Sequence, residues 1–159
     1  MKKGTAMFSS GTYILVGGGI GTQDTNSIVR SSGGVTFYNT YSTSPVRAYQ
    51  AVYFAANSDV QLSAPTSGAY GGILFMQDRN CCSGTMPQES FQGGPNAQFE
   101  GTLYFPKSQI QFAGNPTVSI VHYTIVVAWQ IDVLGTSTFN NDYSVLTGGS
   151  PIQQVGLIE

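Results

Sequence analysis

Gly72-Ile-Leu-Phe-Met-Gln77 is a glycine followed by a short run of large apolar residues. The pattern recurs along the chain, with anchors at Gly11, Gly34, Gly72, Gly101 and Tyr123, and the copy at Tyr123 lacks the glycine. Successive anchors are 23, 38, 29 and 22 residues apart. The third residue after every anchor is large and apolar: Ile14, Phe37, Phe75, Tyr104 and Val126. Such β-branched and aromatic runs favour strands. The recurrence predicts a repeat of about 22 residues, with insertions in its second and third units.

A second kind of strand lies between these anchors. Asn57-Ser-Asp-Val-Gln-Leu62 and Ser108-Gln-Ile-Gln-Phe112 alternate apolar and polar residues, which is typical of a strand with one buried face. Helix signals are nearly absent. Two short strands per repeat predict an all-β parallel β-helix, or solenoid, of about five coils. An antiparallel β-sandwich is the alternative, because it also has short strands at regular spacing.

The length of 159 residues predicts a single domain spanning 1–159. The excess spacing between anchors places two inserted loops, over 39–57 and 79–95. Insertions of a repeat protein emerge on its surface, where they are available for contacts.

Charge is scarce, with six Lys and Arg, eight Asp and Glu, and 9% charged residues against a usual ~25%. Six scattered cations cannot neutralise a nucleic-acid backbone, so no nucleic-acid partner is expected. With 41% hydrophobic residues the chain is not a disordered one. Stacked strands about 4.8 Å apart would set repeated like charges against each other, whereas Ser, Thr, Asn and Gln can hydrogen-bond along the stack.

The sequence predicts no transmembrane segment. Its longest apolar stretch, 120–134, is interrupted by His122, Gln130 and Asp132 and is shorter than the ~20 residues that a spanning helix needs. Lys2 and Lys3 are not followed by the apolar region of a signal peptide. An export segment is therefore expected on a longer parent chain or in a missing N-terminal segment.

Cys81 and Cys82 are adjacent and lack metal-site or redox spacing. Since a bridge between neighbours strains the intervening peptide bond, two free thiols are favoured, with a vicinal or intermolecular disulfide as the alternative. His122 is the only histidine and lies near no nucleophile motif. We therefore expect neither a metal site nor a cofactor.

Carboxylates are the remaining candidates for catalysis, because a glycosidase needs two of them about 5–9.5 Å apart. The repeat brings no two together, so no catalytic residue and no enzymatic activity are predicted from these five: Asp59, Asp78, Glu89, Glu100 and Asp132. Gln77, Asp78 and Arg79 end a core strand and form the densest polar cluster. They are a candidate ligand-binding motif, or a structural one in which an Asp–Arg pair holds the following loop.

Leu62-Ser-Ala-Pro-Thr-Ser-Gly-Ala-Tyr-Gly-Gly-Ile-Leu-Phe-Met-Gln-Asp-Arg-Asn80, followed by Gly101-Thr-Leu-Tyr-Phe-Pro-Lys-Ser108, resembles the C-terminal region of putative Flp pilus-assembly proteins of the TadE/TadG-like family. The resemblance implies an extracytoplasmic, pilus-associated protein of a bacterium and supplies no catalytic residues. Family members typically carry an N-terminal membrane segment, which this sequence is not expected to contain.

These observations lead to two hypotheses. The first is a non-enzymatic extracytoplasmic solenoid that acts in tight-adherence (Flp) pilus assembly or cell-surface adhesion, with pilus or cell-envelope proteins as partners. The inserted loops would present Tyr41, Tyr49 and Phe91 as exposed aromatic contacts. The second is a β-helix that binds surface glycans or cleaves polysaccharides through Asp78 and Arg79.

Overall fold

The computed structural model describes residues 1–24, 26–82, 84–92, 94, 96–114, 122–135 and 139–149. Within these residues the chain forms twelve strands and no helix, which confirms the all-β prediction. The strands are β1 (Gly4–Phe8), β2 (Gly11–Val16), β3 (Ser27–Ser31), β4 (Val35–Thr40), β5 (Ser42–Thr43), β6 (Val46–Arg47), β7 (Tyr53–Phe54), β8 (Asp59–Ser63), β9 (Ile73–Gln77), β10 (Gln88–Phe91), β11 (Gln98–Gly114) and β12 (Thr124–Gly135).

Ten of these strands form one sheet with parallel pairing throughout. Its main path runs β1-β3-β8-β11-β9-β4-β2, with β12 and β10 also paired to β11, and β7 paired to β10. Strands β1, β3 and β8 make one arm, and strands β2, β4 and β9 make the other. The chain passes from one arm to the other and back, which allows parallel pairing without helical crossovers.

The prediction of a solenoid of five stacked coils is wrong. The strands belong to a single curled sheet, shaped like half a barrel, and not to a stack of coils. The difference arises at β11, whose 17 residues pair successively with β8, β9 and β10. One long strand thus joins both arms. The antiparallel sandwich is excluded as well, because the paired strands β5 and β6 alone run antiparallel among the described strands.

Gly101 is the corner at which β11 passes from one arm to the other. The residue before it pairs with Ser63 of β8, and the residue after it pairs with Ile73 of β9. Gly101 has a φ of +130°, and a Cβ there would lie 2.6 Å from the Cβ of Ala64. Both the backbone conformation and the space therefore require glycine at this anchor.

The anchors align in the sheet only in part: Phe37 pairs with Phe75, as the repeat implied, but Gly101 pairs with Thr124 and not with Tyr123. Gly11 pairs with Val35 and not with Gly34, so Ile14 lies beside Tyr38 and not beside Phe37. A shift of one residue moves a side chain to the opposite face of a sheet. Ile14 is accordingly exposed while Phe37 is buried, and apolar character alone did not reveal this difference.

The core within the curl is mostly aromatic. Phe37 stacks on Phe75 with ring centroids 5.1 Å apart, and Phe75 meets Phe91 edge-on at 5.7 Å. Phe91 also contacts four further rings, those of Phe54, Phe99, Phe105 and Phe112. Burial of these rings is the main source of stability in the sheet, because the described part of the chain has no helix that packs on it.

The predicted insertions contain short strands of their own. Segment 39–57 holds the paired strands β5 and β6 together with β7, and segment 79–95 holds β10. Strand β10 pairs with β7 on one side and β11 on the other, so it ties both segments to the sheet. Ser83, Gly93 and Pro95 of the second segment lie outside the described residues.

Candidate functional site

The two inserted segments enclose a cleft, which we call the intersegment cleft. It consists of two adjoining hollows of about 270 Å³ and about 320 Å³ that share Tyr41 and Asn80. The first hollow is lined in addition by Ala48, Tyr49, Cys82, Thr85 and Pro87, and the second by Ser42, Thr43 and Asp78. Each hollow has about the volume of a small-ligand pocket at the lower end of the usual range, ~300–1,000 Å³.

A disulfide between Cys81 and Cys82 forms part of the cleft wall. The expectation of two free thiols is therefore wrong, and the vicinal disulfide that was the alternative is present. Cys81 is buried, while Cys82 lines the cleft and has a φ of +65°. A residue other than glycine is uncommon in this conformation, which turns the chain sharply at the cleft wall.

Asp78 holds the ends of two segments together. Its carboxylate accepts hydrogen bonds from the hydroxyl of Thr40 at 2.6 Å and from the backbone N–H of Asn80 at 2.8 Å. Its own N–H donates to the carbonyl of Asn39. Asp78 thus fixes the chain that leads into the disulfide.

Arg79 does not pair with Asp78 among the described ion pairs, so the expected Asp–Arg pair is wrong. The guanidinium instead lies over the ring of Tyr104, 5.2 Å from its centroid. The two side chains of the predicted motif therefore act separately. Asp78 lines the cleft, whereas Arg79 is exposed on the outer surface.

Gln77 lies fully buried beneath the cleft. Its amide Nε2 donates to the hydroxyl of Ser108 at 2.5 Å, and its Oε1 accepts from the backbone N–H of Lys107 at 2.9 Å. Asn39 pairs with Gln77 in the sheet and donates to the carbonyl of Gln50. These two amide side chains lie where the core meets the inserted segments. They hydrogen-bond to backbone groups there, which apolar side chains could not do.

Glu89 is the centre of this buried polar network. Its carboxylate accepts from the hydroxyl of Tyr49 at 2.7 Å, from the N–H of Val52 at 2.6 Å and from the hydroxyl of Ser108 at 2.8 Å. Burial raises the pKa of Glu89 above its usual range, although the three hydrogen bonds oppose that shift. Burial, followed by the neighbouring charge of Glu89, also raises the pKa of Tyr49.

Two of the three predicted aromatic contacts line the cleft. Tyr41 and Tyr49 are half-buried there, and the hydroxyl of Tyr49 is held by Glu89. The prediction that Phe91 is an exposed contact is wrong, because its ring is fully buried in the aromatic core. It lies two residues after Glu89 in β10, where the alternation of a strand turns both side chains inward.

The five carboxylates considered for catalysis have separate partners. Asp59 pairs with Arg30, Asp132 accepts from Gln109, and Glu100 lies 3.0 Å from Nδ1 of His122. Only Asp78 and Glu89 approach the cleft, and Glu89 does so through Tyr49. Among the described residues, no three His, Cys, Asp or Glu side chains could hold a metal ion.

Sequence reasoning missed Ser108 and Thr85, and it found Glu89 only as a candidate acid. A usable signal was present for Glu89. A lone carboxylate between polar residues and a core phenylalanine, in a chain with so few charges, indicates a buried acceptor that needs partners. The partners come from 39–57 and β11, so only the fold could identify them.

The chain matches no family model, no curated protein and no solved structure. No helix in the described part of the chain is long and apolar enough to cross a membrane. The resemblance to the pilus-assembly proteins accordingly stays a prediction.

Proposed function

We propose that this chain is a non-enzymatic adhesion domain whose intersegment cleft binds a neutral glycan. The observation that carries the proposal is the composition of the cleft, in which two tyrosine rings and a disulfide lie among neutral hydrogen-bonding side chains. Sugar rings present apolar C–H faces and hydroxyl groups, so a pocket that binds them needs both kinds of surface.

The polar lining is suited to hydroxyl groups. Asn80, Thr85 and Ser42 can each donate and accept hydrogen bonds, which matches the dual character of a sugar hydroxyl. Asp78 is the single formal charge among the described lining residues. Its negative charge disfavours acidic sugars and favours neutral ones.

The contacts of Glu89 favour binding over cleavage. Its carboxylate is fully buried and already engaged by three protein donors. A general acid must reach the leaving oxygen of the substrate, and a nucleophile needs a free lone pair. Glu89 therefore supports Tyr49 in the cleft wall, which leaves Asp78 without a second reactive carboxylate.

A location outside the cytoplasm belongs to the same proposal. Disulfides persist in oxidising compartments, and the Cys81–Cys82 bridge supports such a location. A role in tight-adherence pilus assembly, with pilus or envelope proteins as further partners, rests on the sequence resemblance and is proposed on that ground alone.

A glycan array followed by calorimetric titration of the hits tests the proposal. We expect binding to neutral glycans that Tyr41→Ala weakens at least tenfold, because stacking and exclusion of water are lost. Tyr53→Ala is the matched control, since this exposed tyrosine lines a separate hollow with Met1 and Ile20, and it should leave affinity unchanged.

Three outcomes contradict the proposal. A folded protein that binds no neutral glycan, or that binds equally well after Tyr41→Ala, does not use this cleft for sugars. Release of reducing ends from a bound polysaccharide, abolished by Asp78→Asn, would show an enzyme in place of a binding domain.

A further inference from the structure

Four strands of the curled sheet, β1, β2, β7 and β12, each pair with a single strand within the described residues. Of these, β2 and β12 each expose at least two large apolar side chains. Strand β2 pairs with β4 alone, and strand β12 pairs with β11 alone. Both edges expose large apolar side chains, with Ile14 at 65% and Val16 at 40% on β2, and Val127 at 40% and Trp129 at 71% on β12. An exposed edge of this kind is a template for pairing with another strand.

We propose that copies of this chain associate head to tail, with β12 of one copy pairing in parallel with β2 of the next. The two edges differ from each other, so the contact is heterologous. A heterologous contact that does not close on itself produces a chain of subunits.

The register of the existing sheet supports this occupant. Across successive strands, one outward column runs through Ile14, Tyr38, Met76, Tyr104 and Val127. The neighbouring inward column begins at Tyr13 and ends at Val126, both of which pack against the core. Setting Val127 beside Ile14 of the next copy would therefore continue both columns, and Trp129 would then lie beside Val16.

The backbone groups of the two edges are compatible with that pairing. Gly11 and Gly17 donate to carbonyls next to and within β4, so the alternate residues Thr12, Ile14 and Val16 direct their N–H and C=O groups away from the sheet. On β12 the N–H of Thr124 already donates to Asn140. Pairing with a second copy would therefore begin after Thr124.

The test uses one variant for each edge, Ile14→Lys and Val127→Lys. Wild-type protein should increase in mass with concentration in sedimentation equilibrium, while each variant should remain monomeric. An equimolar mixture of the two variants should form a one-to-one dimer, because each supplies the edge that the other has lost. Val46→Lys is the matched control, since Val46 is 85% exposed on β6 and should leave association unchanged.

Trp129 provides an independent readout, because it is the only tryptophan in the chain. Its emission should shift to shorter wavelength as wild-type protein associates, and Ile14→Lys should abolish the shift although Trp129 itself is unaltered. Circular dichroism and thermal unfolding establish that each variant is folded.

Three results would overturn the proposal. The first is a wild-type monomer at all concentrations with Trp129 exposed to acrylamide. The second is a monomer with Trp129 shielded, which would mean that the chain itself covers this edge. The third is a dimer that Val127→Lys abolishes and Ile14→Lys does not, which would indicate contact between two β12 strands.

Discussion

Glu89 and Phe91 occupy the same short strand, face the same side of it and are both fully buried, yet they depend on opposite kinds of interaction. Phe91 lies among five other rings of the core. Glu89 lies beneath the intersegment cleft, where three donors satisfy it. At Phe91 the strand contributes to an apolar core, where close packing is sufficient. At Glu89, two residues earlier, it enters a polar network that requires specific hydrogen-bond donors. Strand β10 is thus the boundary between the part that stabilises the sheet and the part that shapes the cleft.

The largest effect is expected at the aromatic side of this boundary. Phe91→Ala should lower the free energy of unfolding by about 3–5 kcal/mol, because it leaves a cavity among rings that cannot collapse into it. Urea denaturation measures the loss. Phe139→Ala is the control: this ring is half-exposed and, among the described rings, contacts Phe112 alone, so its loss should cost about 1 kcal/mol. Equal losses would show that Phe91 is not central to the core.

A smaller loss is expected at the polar side. Glu89→Gln should lower the free energy of unfolding by about 1–3 kcal/mol, because an amide offers one acceptor oxygen where three donors converge. Glu89→Leu should cost more, since all three donors would then be buried without a partner. Denaturation of the two variants gives their order, and a leucine variant as stable as wild type would mean that the network contributes nothing.

The pH dependence of stability distinguishes the two sides further. Because the pKa of Glu89 is raised in the folded chain, the folded state binds more protons than the unfolded state above the ordinary value of 4.5. Its contribution to stability is therefore complete below that pH and is lost as the pH rises through the folded-state pKa. We expect the difference in the free energy of unfolding between wild type and Glu89→Gln to be largest at low pH and to decrease as the pH rises through the folded-state pKa. The difference between wild type and Phe91→Ala should stay constant, and a constant difference for both would refute the assignment.

The smallest effect on stability is expected at the disulfide. A bridge between neighbours closes almost no loop, so replacing Cys81 and Cys82 by serine should cost only about 1 kcal/mol. The same change alters the cleft wall and should weaken glycan binding severalfold, which calorimetric titration would detect. Loss of stability without loss of binding would place the disulfide outside the site.

The sequence was sufficient for the strands but not for their arrangement. Gly-anchored apolar runs identified β2, β4, β9, β12 and part of β11, because period-two patterns and β-branched residues are local properties. Whether Gly11 pairs with Gly34 or with Val35 is not local, and one residue of register separates a buried ring from an exposed one. The bend of β11 at Gly101 is not local either, because it depends on the close approach of Ala64, which is distant in the sequence.

The candidate site shows the same division. Excess length between the anchors predicted 39–57 and 79–95 as inserted segments, and the structure places Tyr41, Tyr49 and the neighbouring Asp78 in the cleft between them. Phe91 was misplaced because an aromatic residue in an insertion has no local mark of exposure. The expected ion pair between Asp78 and Arg79 was wrong because neighbouring side chains point in different directions: Asp78 lines the cleft and Arg79 lies over Tyr104.

By itself, then, the sequence determined an all-β chain with few charges, a glycine-marked series of strands and two inserted segments, because composition and periodicity act over a few residues. Tertiary structure alone decided that the strands form one curled sheet, that adjacent cysteines are joined, and that Glu89 meets Tyr49, Val52 and Ser108. Each of these depends on groups that are distant in the chain, or on a backbone conformation that the surrounding fold maintains.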